Sequence, residues 1–155
     1  MRRIFSAALI LALCVLYPGT YGNGLSAATC KPTSSDSLGP FYKPNAPIRS
    51  SVGMGYVLRG VVRTAKDCSP VAGAMVELWL AGPNGEYDDA HRATTIADAS
   101  GAYRFESNTP PPYYGRPPHI HLRVSAKNFS TLVTQHYPAV NTKEAVFDIV
   151  LVPSR

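Results

Sequence analysis

Two histidines separated by one residue, His119 and His121, follow the run Arg116-Pro117-Pro118, and a tyrosine pair, Tyr113 and Tyr114, stands just upstream. In an extended strand alternate side chains share a face, so the two imidazoles point the same way, about 7 Å apart. Such a pair suits two ligands of one metal ion, and the prolines before it stiffen the approach. Tyr87, beyond the turn Gly82-Pro83-Asn84-Gly85, adds a second phenol. Tyr87, Tyr113, His119 and His121 therefore form a candidate ligand set, with Tyr114 chemically equivalent to Tyr113 at this level. Phenolate is a hard anionic donor, and mixed with imidazole it favours Fe(III) over zinc or copper. Two phenolates and one hydroxide would balance the charge of ferric iron. A free tyrosine ionises near pH 10, so only an adjacent metal charge makes it a ligand at neutral pH. Arg116, three residues before His119, can turn its guanidinium toward an anionic ligand. His91, in a polar loop, and His136, far from the pair in sequence, are not expected to be ligands. Trp79 reads as a core residue.

Short strands must position this set. Candidates are Gly55–Arg63, Ala74–Leu80, Ala102–Glu106, His119–Ala126, Thr131–His136 and Ala145–Val152, each β-branched or aromatic. Turn chemistry bounds them at Asp67-Cys68-Ser69-Pro70, Gly82 to Gly85, Asp98-Ala99-Ser100-Gly101 and Asn108 to Pro112. No window carries a helical apolar period. The pattern predicts an all-β chain, an antiparallel β-sandwich of about six to eight strands, prealbumin- or immunoglobulin-like. Ahead of it, residues 29–54 are rich in Pro, Ser and Gly and read as an arm held by contacts, with the aromatic patch Gly39-Pro40-Phe41-Tyr42 inside it. The sandwich occupies residues 55–155.

Residues 1–28 read as a signal peptide: Arg2 and Arg3, an apolar stretch from Ile4 to Leu16, then Ser26-Ala27-Ala28 suited to cleavage near Ala28. The apolar stretch is too short to span a bilayer, and Leu13 before Cys14 is the wrong residue for lipidation. The expectation is a secreted or periplasmic protein with no membrane segment in its mature form. Cleavage leaves Cys30 and Cys68, which outside the cytoplasm are expected to pair and tie the arm to the body. The 15 Lys and Arg against 10 acidic residues include Arg2 and Arg3, and the rest are scattered, so nucleic-acid binding has no support.

The run from Tyr113 to His121 resembles the active-site segment of the intradiol ring-cleavage dioxygenases, the protocatechuate 3,4-dioxygenase-like family. Gly39-Pro40-Phe41-Tyr42, Pro70 to Ala74 with Val76-Glu77-Leu78-Trp79 and Gly85-Glu86-Tyr87, and Asp98 to Phe105 are similar to other segments of the family, in order along the chain. The resemblance implies a compact, exported, single-domain member with a β-sandwich fold. It implies Tyr87, Tyr113, His119 and His121 as ligands of Fe(III), Tyr113 being preferred over Tyr114 by its spacing to Arg116 and His119. It further implies Arg116 as the arginine that steadies charge on the substrate ring, with Gln135 behind it. Tyr113 would leave the metal to accept a proton when substrate binds. The implied partners are a catechol-type diol and O2, cleaved to a cis,cis-muconate. The shorter loop between Tyr113 and His119, the absence of a helical dimerisation segment before the arm, and Pro138 after Tyr137 depart from the larger members and bear on the substrate pocket. The resemblance leaves room for a homo-oligomer.

An alternative reading is a secreted β-sandwich binding module without catalysis, its aromatic residues forming a face for aromatic or carbohydrate polymers. A transthyretin-like structural sandwich is a third. Only the dioxygenase reading requires bound iron and visible colour.

Overall fold

The computed structural model describes residues 30–154, so the expected leader and Cys14 lie outside the described residues. Eight strands form two four-stranded sheets. The first centres on β1 (Tyr56–Thr64), with β4 (Ala102–Ser107) antiparallel on one side, and β7 (Glu144–Val146) and β8 (Ile149–Leu151) parallel on the other. The second runs β3 (Arg92–Ile96), β2 (Met75–Leu80), β5 (Ile120–Ser125), β6 (Leu132–His136), antiparallel throughout. Between the sheets Leu58, Val62, Val76, Leu78, Phe105, Leu122, Val124 and Ile149 are fully buried, each contributing about 1.5–3 kcal/mol of apolar burial. The all-β sandwich expected from the sequence is the observed fold.

Three features differ from the expected strands. β3 was not foreseen: its Ala93-Thr94-Thr95-Ile96 is short and follows the charged run Asp88 to Arg92, and pairing with β2 supplies what its sequence does not advertise. The single strand expected over Ala145–Val152 is two, both parallel to β1 rather than antiparallel. The break falls at Phe147-Asp148, where the Asp148 carboxylate accepts the Val61 N–H at 2.9 Å in place of a ladder carbonyl. Gly60 faces it, and any Cβ there would collide with the Phe147 carbonyl.

β2 carries the feature that matters for function. Five of its six residues are buried, although a sandwich strand with one wet face should alternate. Val76, Leu78 and Leu80 enter the core; Glu77 and Trp79 point to the outer face and are covered there by the N-terminal arm. The arm starts at the Cys30–Cys68 disulfide, which the structure forms as expected. It bonds to β8 and β6 through Thr33 and Asp36, crosses the outer face of the second sheet, then pairs with Thr94 of β3 and Glu106 of β4. It thus closes both edges between the sheets and roofs one outer face.

Candidate active site

His121 lies on β5 between Trp79 of β2 and Gln135 of β6, its cross-strand partners. Ile120, Leu122 and Val124 fill the core, so His121 must face outward under the arm. His119 continues the alternation just before the strand, which begins at Ile120 rather than at His119 as expected. The two rings are 4.8 Å apart and nearly perpendicular, closer than strand spacing alone gives. His119 Nδ1 lies 2.8 Å from the Pro117 carbonyl oxygen, an acceptor only, so it is the protonated nitrogen. That leaves Nε2 as an acceptor, 3.0 Å from the Tyr87 hydroxyl. Trp79, read from sequence as core, is buried, yet its ring lies flat on His121 at 4.9 Å.

Tyr87 is delivered by a tight turn. Gly82 N–H donates to the Glu86 carbonyl at 2.8 Å, and Gly85, with φ +82, takes the left-handed conformation that closes it. Asp88 then caps the short 3-10 turn Asp89–His91. Phe41 of the arm stacks on Tyr87 at 4.4 Å.

Tyr113 and Arg116 exchange backbone hydrogen bonds across a two-residue turn whose central residues, Tyr114 and Gly115, both have positive φ, as in type I′. This geometry separates the two tyrosines that chemistry left equivalent. Tyr113 turns edge-on to Tyr87 and Phe41 at 5.3 and 5.4 Å, whereas Tyr114 stands 89% exposed at the apex.

Arg116 Nη2 donates to Gln135 Oε1 at 2.8 Å and to the Tyr137 hydroxyl at 3.0 Å. Gln135 Nε2 donates to the Ser37 carbonyl, and the Tyr137 hydroxyl to Asp36 Oδ2. The arm therefore helps to orient the arginine. Tyr137 and Asp36 were not singled out from sequence, since nothing local marks a contact across about a hundred residues. The structure brings Tyr87, Tyr113, Arg116, His119 and His121 around one cavity of about 280 Å³, roofed by Gly39, Pro40 and Phe41, with Tyr114 at its rim. Gln135 reaches it only through Arg116. The arm covers its own chain's site. His91 bonds to Asp88, and His136 to Tyr56 on the core side, and neither lines this cavity.

Burial, partly offset by Arg116, pushes the Tyr87 phenol up to about 12, and burial also raises Tyr113. Without an added cation both are neutral phenols. Burial, then the neighbouring His119, pushes His121 down to about 4. The Ser37 backbone opposes this but is not in hydrogen-bonding geometry with Nδ1, which is buried without a partner. Leaving such a nitrogen unsatisfied costs about 1–3 kcal/mol, which only a partner at that nitrogen would offset. Among the described residues no three His, Cys, Asp or Glu side chains gather at one point, so a metal here depends on tyrosine. Two imidazoles and two phenols around one pocket fit a hard trivalent ion.

A family model described as Dioxygenase (Dioxygenase_C) matches residues 39–152. The chain belongs to the intradiol ring-cleavage dioxygenase family. It is 33% identical over 144 residues to a catechol 1,2-dioxygenase of Candida albicans, covering 69% of this chain and 47% of the relative. It is 30% identical over 133 residues to a chlorocatechol 1,2-dioxygenase of a Pseudomonas species, covering 64% and 53%. The chain thus spans about half the length of the curated relatives it matches. The dioxygenase domain of a dioxygenase carbohydrate-binding protein fusion from Streptomyces sp. SirexAA-E superposes with a TM-score of 0.72 at 27% identity, over 80% of this chain and 100% of that one. An intradiol ring-cleavage dioxygenase from Tetranychus urticae shares the fold, with a TM-score of 0.70 at 17% identity over 80% and 96%. The dioxygenase match begins at Gly39, so the roof of the cavity falls inside the family's own segment.

Proposed function

We propose that this protein is a non-haem Fe(III) intradiol dioxygenase that cleaves catechol-type diols with O2. The observation that carries the reading is the pairing of Tyr87 with the free nitrogen of His119, inside a pocket that Tyr113, His121 and Arg116 share. Tyr87, Tyr113, His119 and His121 would hold the ion. Ferric iron held there would supply Lewis acidity toward the diol and make its ring reactive toward O2.

The chain's own residues do the rest. The Pro117 carbonyl and the flat Trp79 ring fix the two imidazoles before substrate arrives. Tyr113, the less enclosed phenol, would as a phenolate accept a substrate proton; Phe41 stacks on Tyr87. Arg116, held by Gln135 and Tyr137, offers a preorganised cation to negative charge developing on the ring. Phe41 and Pro40 exclude water from above. The balance is one diol plus one O2 giving one ring-opened dicarboxylic acid, with no external reductant. The apparent leader and the Cys30–Cys68 bridge support a site of action outside the cytoplasm.

The test is a visible spectrum of the iron-loaded protein, with and without anaerobic catechol, followed by oxygen. A tyrosinate charge-transfer band that shifts with catechol, weakens in Tyr87→Phe, and gives way to a muconate carrying both atoms of labelled O2 is expected. A protein that takes up ferric iron without colour and leaves catechol intact would overturn the proposal.

A further inference from the structure

We propose that the pocket continues into a second subsite, beyond the ring being cleaved, that accepts an uncharged aryl substituent on the diol. The inference rests on the dioxygenase reading for the position of the first ring. A second cavity of about 410 Å³ is lined by Phe41, Tyr87, Tyr113 and Tyr114 together with Gly85 and Glu86. The first four also line the 280 Å³ cavity, so both cavities share one aromatic wall. Three of those rings are already packed against one another, but Tyr114 is 89% exposed, its ring in an edge-on pair with Tyr113 at 4.6 Å. The turn fixes it there at φ +45, a conformation uncommon for a side chain of this size. Gly85 on the opposite bank leaves open space where a Cβ would stand. A flat ring entering this groove meets Tyr114 on one side and a gap on the other.

Charge narrows the class. Glu86, oriented by the Asn84 amide at 3.1 Å, is the acidic side chain on this side, while Arg116 lines only the inner cavity. The groove therefore favours a neutral or hydroxylated ring and disfavours one carrying a carboxylate. Multi-ring polyphenols match this pattern; a single-ring diol leaves the groove empty.

The experiment measures dissociation constants of catechol, phenylcatechol and (carboxyphenyl)catechol on the anaerobic, iron-loaded protein by calorimetry, with oxygen uptake followed in parallel. An offset or edge-on ring contact predicts that phenylcatechol binds about tenfold tighter than catechol. Tyr114→Ala removes most of that advantage and Tyr114→Phe keeps it. The carboxylate weakens binding several-fold relative to phenyl, and Glu86→Gln restores it. Equal affinity for catechol and phenylcatechol, or an advantage that survives Tyr114→Ala, would overturn the subsite. If catechol is cleaved and phenyl gives no gain, the subsite alone falls. If phenyl binds tighter through Tyr114 but no oxygen is consumed, the ring-cleavage reading falls and the subsite stands.

Discussion

Gly39 is where arm and site meet most closely, and Gly39→Ala tests whether the arm is a wall of the site or a loose cover. Gly39 has φ +71, and a Cβ added to it would lie 2.9 Å from His121 Cε1, well inside ordinary carbon contact at 3.5–4.0 Å. The imidazole has little room to retreat, because Trp79 lies flat against it at 4.9 Å. The left-handed conformation alone costs an alanine about 1 kcal/mol. Forcing arm and ring apart adds about 1–2 kcal/mol, as for other overpacked sites. Gly73 provides the control: its φ is +70 and nothing lies within 4 Å of an added Cβ. Gly73→Ala thus carries the conformational cost without the collision. Denaturant unfolding should show losses of about 1 kcal/mol for Gly73→Ala and about 2–3 kcal/mol for Gly39→Ala. Hydrogen exchange should quicken at the Asp36 amide, which bonds to Val133, only in Gly39→Ala. Ferric affinity should fall about tenfold in that variant, as when a supporting contact to a ligand is lost. Equal stability losses in the two variants, with unchanged exchange at Asp36, would refute the argument that the arm bears on His121.

Arg116→Lys keeps the charge but cannot span Gln135 and Tyr137 as the guanidinium does, so kcat should drop about a hundredfold with little change in KM; a change confined to KM would make Arg116 a simple binding group. Cys30→Ser opens a bridge between residues 38 apart and should cost about 3–4 kcal/mol in the chain-entropy model. An unfolding midpoint that ignores reductant in the parent protein would contradict it. His136 is pushed by burial from 6.5 down to about 4, so its neutral form stabilises the fold fully above pH 6.5, and that stability is lost as pH falls toward 4. At about 1.4 kcal/mol per pKa unit the full drop is ~3.4 kcal/mol, reduced to about 2 kcal/mol because the ring is partly exposed. The acid limb of the stability profile should flatten in His136→Gln, with His121 accounting for what remains; an unaltered limb would remove His136 as its source.

The closeness of the candidate ligands was legible because its signal is local. A period of two puts His119 and His121 on one face whatever sheet they join, and prolines before them admit no helix. Arg116 was visible for the same reason, three residues away. The choice between Tyr113 and Tyr114 was not open to chemistry, since the side chains are identical. Backbone conformation sets them apart, through a two-residue turn that Gly115 makes possible and that Tyr114 must share, while both rings still line the cavity. Trp79 misled in a different way. A tryptophan in an apolar strand is ordinarily core, and Val76 to Leu80 does feed the core, but every second residue of that strand faces out. Only when the arm is known to lie on that face does Trp79 become the support of His121. The arm itself has no apolar period, and its partners are Glu77, Trp79, Tyr87 and Gln135, distant in sequence.

That last gap has a structural cause. A two-sheet sandwich spends its inner faces on the core, where Leu78, Leu122 and Phe105 leave no room for a polar centre. A site with two imidazoles, two phenols and an arginine must therefore be built on an outer face, which is wet unless something covers it. In this chain the cover is a strap fastened at both edges of the sandwich, by Asp36 on β6 and by Arg49 and Thr94 at β3, with Phe41 and Tyr42 pressed between. The same strap carries Asp36 and Ser37, which hold Tyr137 and Gln135 and through them Arg116. Roof and arginine support thus belong to one segment: an arm that lifts would bare the pocket and leave Gln135 and Tyr137, the partners of Arg116, without Ser37 and Asp36.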